Sequence, residues 1–479
     1  MHRSRLLASL IATAGLLAGC AAGPDYVRPA VDTPAAYKEA GPWKTAEPGQ
    51  VDGDHPWWTL YGDATLDGLI EEANKANQNI REAEAQYRQA RAVLDAARAG
   101  FYPGVGASAS GGRARTNNNS VINLGNTANV SLTATWEPDL WGAVRRAVEA
   151  GTAGAQASAA DLAAARLSIQ AELAQDYFQL RSTDEQLELL ARTVEAYTRA
   201  LQLTQHQYAA GIVLRSDVAL ADTQLQTADA QRIDLQAQRA AFEHAIAILL
   251  GKPPANFSLA ATPAAAQIPV IPTGVPSGLL ERRPDIAGAE RRTAQANANI
   301  GVARAAYFPN LLLGAGGGFN SSHLGPFFSA PNRVWSLGAQ LAGALFDGGL
   351  RAARDAQAVA AYDAAVAQYR LTVLGGFQEV EDNLATLRVL DEESAVQERA
   401  VQSAQLAERL ALTQYRGGTA TYLSVVTAQT LALANQRTLV LLHGRQFVAS
   451  VALIKATGGG WDATSLAARD AGDATAQAR

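Results

Sequence analysis

Apolar residues recur every seven positions in three long series, a spacing typical of helices that pack side by side. The series run from Leu173 to Tyr208, from Val359 to Leu387 and from Val426 to Ile454. The segments 145–210 and 351–416 contain no proline and have 66 residues each. At 1.5 Å per residue, each would form a helix about 100 Å long. We therefore predict that both pack against partner helices along their length.

Before each predicted long helix, apolar and polar residues alternate along the chain. This alternation is typical of strands that have one apolar face and one polar face. The alternation is strict in 130–136 and weaker in 105–110. Later in the chain it recurs as two apolar stripes, formed by Leu311, Leu313 and Ala315 and by Trp335, Leu337, Ala339 and Leu341. We predict two strand pairs, over about 102–137 and about 307–346.

Glycines follow both predicted long helices, at Gly211 and at Gly417 and Gly418. Glycine most readily adopts the positive φ that is common just after a helix C-terminus. We therefore predict that each helix ends in a turn, with tips at about 209–217 and about 416–424, and that a second helix runs back. Each half of the chain would then contain a long helical hairpin.

The two halves of the chain are copies of one another. Residues 79–103 align without gaps on residues 285–309, with ten identical positions among 25. The offset stays nearly constant into the hairpins, which indicates an internal duplication. The predicted segments are repeat 1 at 66–251, a proline-rich linker at 252–284, repeat 2 at 285–457 and a C-terminal tail at 458–479.

The N-terminus carries a basic start, a short apolar run and the sequence Leu-Ala-Gly-Cys, which ends at Cys20. This pattern resembles a bacterial lipobox, and Cys20 is the only cysteine of the chain. Cleavage would remove 1–19 as a signal peptide and leave Cys20 for acylation. Residues 20–65 would then form a lipid-anchored, extended segment. A plain signal peptide that happens to contain a cysteine is the alternative.

Composition argues against several classes of function. Charged residues make up 18% of the chain and the net charge is −5, which gives no sign of nucleic-acid binding. The six histidines are scattered without metal-ligand spacing. We expect no enzyme activity, no metal and no cofactor beyond a covalent lipid on Cys20. We also expect no membrane-spanning helix in the mature chain, and a solvated helix face at Glu379, Glu381 and Asp382.

Four strands cannot form a membrane structure alone, because the edges of an open sheet stay unpaired in lipid. The smallest membrane barrels have about eight strands. Three chains that each contribute four strands and four helical rods would form a 12-stranded barrel and a 12-helix tunnel. The predicted fold is therefore mainly α-helical with a β-barrel portion, with four transmembrane strands per chain in a homotrimer.

The chain also carries a set of short motifs. They are Trp57-Trp58, 66–70 (LDGLI), 280–286 (LERRPDI), 307–309 (YFP), 345–349 (LFDGG) and 458–461 (GGGW). Together they resemble the TolC-type outer-membrane efflux proteins, and more narrowly their NodT-like or OprM-like lipoprotein branch. The resemblance implies a homotrimeric duct in the lipid of a Gram-negative outer membrane, with its tunnel in the periplasm. It also implies two protein partners, a periplasmic adaptor and an inner-membrane pump of RND type, which deliver drugs or metabolites for passive exit.

In this family the duct closes where the helical hairpins converge at the periplasmic tip. The resemblance therefore gives six gate candidates: Arg215, Asp217, Asp222, Tyr422, Leu423 and Thr427. Related channels use a leucine followed four residues later by an aspartate. Leu423 matches the leucine, but Thr427 occupies the acidic position, which puts an acidic ring from this hairpin in doubt.

Each gate candidate has a simpler alternative. Asp217 and Asp222 could supply carboxylates instead of Thr427, or could be a helix cap and a solvated residue. Arg215 and Tyr422 could form bonds between neighbouring chains. Leu423 could narrow the aperture or pack within its own hairpin.

Two other functions fit parts of the pattern. An exit duct of a type I protein secretion system would share the whole architecture. A lipid-anchored coiled-coil protein or adhesin would explain the heptads but leave the paired amphipathic strands without a role. The lipobox and the motif set favour small-molecule efflux by resemblance.

Overall fold

The computed structural model describes residues 21–39, 56–118, 121–262, 266–269, 271, 276–323 and 327–464. The predicted signal peptide and Cys20 lie outside the described residues, as does the C-terminal tail beyond residue 464.

The two repeats contain matching elements in the same order. Repeat 1 comprises α1 (Ala64–Ala76), α2 (Gln78–Ala99), β1 (Gly104–Asn118), β2 (Val121–Trp136), α3 (Ala143–Ala209) and α4 (Arg215–Leu249). The short helix α5 (Leu279–Arg282) lies within the predicted linker, and after it repeat 2 comprises α6 (Pro284–Ala305), β3 (Asn310–Ser321), β4 (Arg333–Ala342), α7 (Leu350–Arg416) and α8 (Tyr422–Ala456). The longer matching helices have equal lengths, with 22 residues in α2 and α6, 67 in α3 and α7, and 35 in α4 and α8, whereas α1 has 13 residues and α5 has 4. The predicted mainly helical fold with a small antiparallel sheet is confirmed.

An aspartate starts both long helices in the same way. The Asp139 carboxylate accepts hydrogen bonds from the Val144 and Arg145 amides at 3.0 and 2.9 Å. In the second copy the Asp347 carboxylate accepts from the Arg351 amide at 3.2 Å. Carboxylates stabilise a helix N-terminus because the first amides have no partner within the helix. From these starts α3 and α7 run about 100 Å each.

The strands form one antiparallel sheet in the order β1-β2-β3-β4. Its register aligns Ala107 with Leu132, Leu132 with Gly317, and Gly317 with Trp335. Because side chains alternate along a strand, this register collects the apolar stripes of all four strands on one face. The opposite face carries mainly serine, threonine and glycine, together with Leu312 and Val334. Among the described residues, β1 and β4 each pair along one side only.

The chain divides into two compact units, and each takes segments from both repeats. The first comprises Met1–Ala30, Gln86–Ala159 and Gly288–Arg370, and the second comprises Val31–Ala85, Ala160–Ala287 and Leu371–Arg479. The boundaries of the repeats along the sequence are therefore not the boundaries of the compact units.

The first unit holds the start of the described chain in an extended conformation. The Ala22 amide donates to the Trp141 carbonyl at 3.0 Å. The buried guanidinium of Arg146 donates to the Ala22 carbonyl at 3.1 Å and to the Asp25 carboxylate at 2.9 Å. These bonds fix the chain two residues after Cys20 beside the N-terminus of α3.

The second unit has an aromatic core. Tyr61 lies 4.9 Å from Phe178 between ring centroids, and Phe178 stacks on Phe447 at 4.6 Å. The tyrosine hydroxyl also pairs with Ser450 at 2.8 Å. The WWTLY turn at Trp57–Tyr61 thus joins α3 of repeat 1 to α8 of repeat 2.

One helix among the described residues, α8, is long and apolar enough to cross a membrane by length and composition. This differs from the expectation that the mature chain has no such helix. More than half of its most apolar stretch is buried within the protein. Core helices of soluble proteins pass the same test, so composition alone does not make α8 a membrane span.

Candidate functional site

The tips of the two hairpins, both in the second unit, have the same turn geometry. Gly211 and Gly418 adopt φ values of 70° and 72°. In each turn the next amide donates five residues back, from Ile212 to Gln207 at 2.8 Å and from Thr419 to Gln414 at 2.9 Å. These bonds satisfy carbonyls that the helix end leaves without partners. Gly417, the third glycine expected in a turn, does not have a positive φ.

Asp217 lies at the start of α4. Its carboxylate accepts a hydrogen bond from the Leu214 amide at 3.3 Å, and its own amide donates to the Leu214 carbonyl at 3.1 Å. The Leu214 side chain has no acceptor, so only half of a capping box forms. The contacts of Asp217 within its own chain are therefore those of a helix cap.

The other charged and polar candidates lie on exposed helix faces. The Asp222 carboxylate accepts a hydrogen bond from the side-chain amide of Gln226 at 3.3 Å. The Thr427 hydroxyl donates to the Leu423 carbonyl at 2.9 Å, a bond within its own helix. Arg215 is exposed, and the Leu423 side chain is 56% exposed. Leu423 therefore contributes little to packing within its own chain.

Tyr422, by contrast, is only 4% exposed and belongs to a buried cluster that joins the hairpins. The tip cluster contains Ala221, Tyr422 and Val425, packed against Leu201, Leu220, Ala411, Leu412, Tyr415 and Val426. The rings of Tyr415 and Tyr422 meet edge to face at 5.2 Å. Burial raises the pKa of the Tyr422 phenol above its usual range. The contacts that bury Tyr422 are within its own chain.

Hydrogen bonds between the hairpins continue away from the tips. Tyr415 donates to the Gln207 side chain at 3.1 Å. The amide of Gln224 donates to the Thr430 hydroxyl at 3.0 Å, and Arg437 donates to the Gln231 side chain at 2.9 Å. Sequence analysis missed these bridges. Each hairpin carries two of these polar residues seven positions apart, and each of them lies 206 positions from its partner in the other hairpin. This matched spacing was the signal available in the sequence.

The LERRPDI motif organises the end of the second repeat. Arg283, 7% exposed, donates to the Asp285 carboxylate at 2.7 Å, to Glu379 of α7 at 2.7 Å and to the Ala456 carbonyl at the end of α8 at 3.0 Å. A buried guanidinium needs such partners, because an unpaired buried charge is very costly. The family motif therefore joins α6, α7 and α8.

The expectation of a solvated face at Glu379, Glu381 and Asp382 holds for the exposed Glu379 and Asp382, whereas Glu381 is half-buried. Glu379 pairs with Arg283. Glu381 accepts the backbone amides at positions 38 and 39 at 2.7 and 2.9 Å. Asp382 accepts from Gln378 at 3.2 Å within the same helix. Segments that lie far away in the sequence contact α7 here, which helical periodicity cannot reveal.

The apolar face of the sheet is the second part of the site. Trp335 and Leu337 of β4 are 79% and 78% exposed. On the opposite face, Ser108 and Ser131 share a hydrogen bond of 2.9 Å. Such a sheet can place one face against an apolar medium and the other against water. Elsewhere, the described part of the chain contains no cluster of three or more metal-ligating side chains.

The Outer membrane efflux protein family model matches residues 69–252 and 275–459. The chain belongs to the outer membrane efflux protein family. The two matches fall on the two repeats, so the duplication is part of the family pattern. The predicted resemblance is confirmed.

Known relatives and solved structures are similar to this protein over nearly its whole length. The antibiotic efflux pump outer membrane protein ArpC of Pseudomonas putida is 31% identical over 96% of both chains. The pyoverdine export outer membrane protein OpmQ of Pseudomonas aeruginosa is 30% identical over 96% of this chain and 99% of its own. The solved outer-membrane channel OprN is 30% identical, with a TM-score of 0.86, over 92% of this chain and 100% of its own. This protein is therefore an efflux channel of the Gram-negative outer membrane, in a family of channels rather than enzymes.

Proposed function

We propose that three copies of this chain form the exit duct of a tripartite efflux system. The duct passively conducts small molecules, such as drugs or metabolites, that an inner-membrane pump of RND type and a periplasmic adaptor deliver. One observation carries the proposal: within the part of the chain that the structure describes, the sheet has two unpaired edges and a face of large, exposed apolar side chains.

Pairing of edge strands between copies would satisfy the backbone groups that an open sheet leaves unpaired in lipid. Each backbone group left unpaired in lipid costs several kcal/mol. The edge strands β1 and β4 have 15 and 10 residues, so a single copy would leave many such groups unpaired. If β4 of one copy pairs with β1 of the next, three copies close a ring of 12 strands. The apolar face would then meet lipid and the polar face would line the duct, and the helices would extend it as a tunnel of 12.

The lipid anchor belongs to the same proposal. Acylation of Cys20 would attach the chain to the membrane beside the N-terminus of α3, where Ala22 is bonded to Trp141. Each buried methylene contributes about 0.8 kcal/mol to membrane affinity. Several acyl chains would therefore hold the chain firmly at the membrane surface.

Closure of the duct would occur at the hairpin tips. Leu423 is the strongest candidate for a residue that narrows the aperture, because its side chain is exposed and free to meet its counterparts in neighbouring copies. Asp217 and Asp222 are candidates for the missing acidic residues, and Arg215 for a bond between copies. Because position 427 is a threonine, the hairpin of the second repeat has no carboxylate at the expected position.

A deletion strain tests the function. Loss of the chain should lower the minimal inhibitory concentration of several antibiotics, and the wild-type gene should restore it. Affinity purification of the restored protein should recover an RND pump and an adaptor. Unchanged susceptibility, with a secretion ATPase recovered instead, would support the alternative of type I protein secretion.

A further inference from the structure

A cavity of about 490 Å³ lies between α3, α4, α7 and α8 in the second unit. Its volume is in the range of sites that hold drug-sized molecules, about 300–1,000 Å³. Thr183, Leu390 and Ala449 are buried residues of its lining, whereas Leu441 and Arg445 are exposed. The cavity therefore has a closed base and an accessible rim.

Some equivalent positions of the two repeats line this cavity together. The helix starts at residues 143 and 350 differ by 207, as do those at 215 and 422. At that offset, four pairs of equivalent positions contribute to the lining: Gln179 and Thr386, Thr183 and Leu390, Gln238 and Arg445, Phe242 and Ala449. The cavity thus lies between the repeats, and it is chemically asymmetric because the side chains in each pair differ.

The chemistry of the lining selects the charge of a ligand. Among the described residues, Arg445 is the one charged residue that lines the cavity, and no aspartate or glutamate does. Within the described ranges, the side chains of Arg445, Gln179 and Gln238 have no hydrogen-bond partner. The threonine hydroxyls are engaged, since Thr183 and Thr386 donate to carbonyls of their own helices at 2.8 and 2.7 Å. The side chains with all of their donors free are therefore one guanidinium and two amides, whereas Gln186 and Asn383 each donate one hydrogen bond to a carbonyl of their own helix.

We propose that this cavity binds a small amphipathic molecule with an apolar or aromatic body and an anionic group, such as a carboxylate or sulfonate. Arg445 and Gln238 bind the anionic group at the rim. Phe242, Leu390 and Val448 contact the apolar body. Charge-assisted hydrogen bonds are roughly twice as strong as neutral ones, so the guanidinium favours an anion over a neutral analogue.

This site is distinct from the gate candidates, and its occupancy does not depend on what the duct exports. Because both repeats supply lining residues, from two helices each, one bound molecule can contact all four helices. A ligand that binds only the folded protein also stabilises it by mass action. Occupancy should therefore raise the unfolding temperature of the protein.

Calorimetry on the full-length protein in lipid nanodiscs tests the proposal, with 2-naphthalenesulfonate as the probe and empty nanodiscs as the blank. We expect saturable binding of one molecule per chain. Arg445→Gln should weaken binding about tenfold. Ala452→Phe should also weaken it, because a phenyl ring would occupy part of the cavity. Arg399→Gln removes the same charge from an exposed position that does not line the cavity, and should bind like wild type.

Two results would overturn the site. One is the absence of saturable binding to the wild-type protein. The other is wild-type affinity in both Arg445→Gln and Ala452→Phe, with trimers intact on native gels. Equal affinity for the neutral 2-naphthalenesulfonamide would overturn the assignment of an anionic ligand. Since no transport is measured, these results are separate from the susceptibility test of the duct.

Discussion

Replacement of Leu337 by arginine tests the apolar face of the sheet. Leu337 is 78% exposed and lies on the same face as Trp335 and Leu341. Its neighbour Ser336 lies on the opposite face, aligned with Gly316. Ser336→Arg is therefore a matched control, one residue away in the same strand and with the same added charge.

The free-energy cost of each added arginine depends on the environment that its face would have in a closed barrel. Arginine on the lipid face of a barrel costs about 2–4 kcal/mol near the bilayer midplane and less near the interfaces. A trimer carries the change three times, so the total is about 6–12 kcal/mol. That is as large as the stability of many folded proteins, about 5–15 kcal/mol. An arginine on the water-filled side costs little.

Trimers in outer-membrane fractions can be counted on semi-native gels, and duct function can be followed by antibiotic susceptibility. We expect Leu337→Arg to lose trimers and to leave the deletion strain susceptible. Ser336→Arg should retain trimers, although the added charge changes conductance. Equal amounts of trimer and equal function in the two variants would refute the lipid-facing assignment of this face.

Three further predictions concern the sheet, the helices and the tips. Gly318→Val should destabilise the sheet, because a Cβ at Gly318 would clash with the Val130 carbonyl oxygen; wild-type thermal stability would contradict this. Burial, with a smaller contribution from nearby Glu172, raises the pKa of Asp176 to about 6. The folded state therefore holds an extra proton between about pH 4 and pH 6, and stability should fall as pH rises through that window. Asp176→Asn should abolish this fall, about 1–2 kcal/mol after allowance for solvent screening, in unfolding curves at pH 4 and pH 7. Leu423→Ser and Asp217→Ala should raise closed-state conductance in planar bilayers, and currents identical to wild type in both would remove these residues from the gate.

The long helices could be predicted because they depend on local pattern. Sevenfold spacing and the absence of proline placed them at 145–210 and 351–416, close to the observed Ala143–Ala209 and Leu350–Arg416. The sheet followed from alternation, which also identified the stripe that the strand register collects on one face. Both patterns follow directly from backbone geometry, with periods of about 3.6 and 2 residues.

Contacts between distant segments could not be predicted in the same way. The sequence gives no spacing rule that brings Arg283 to Glu379, or the amides at positions 38 and 39 to Glu381. Tyr422 was one candidate for a bond between neighbouring chains, and the sequence pattern did not reveal that the hairpins of its own chain bury it. These outcomes depend on which helix faces meet, and a single helical pattern leaves that choice open.

The duplication explains the architecture of the tips, whereas the candidate gate depends on the differences between the copies. The two turns have the same backbone hydrogen bonds, but the residues that begin the returning helices are unlike. Arg215, the first residue of α4, is exposed, and Tyr422, the first residue of α8, is buried in the tip cluster. The Asp217 carboxylate accepts the Leu214 amide at the start of α4, whereas no carboxylate occupies the matching position, Ser424, in α8. An opening motion would therefore break different contacts in each hairpin, so the two tips should be substituted separately rather than as equivalents.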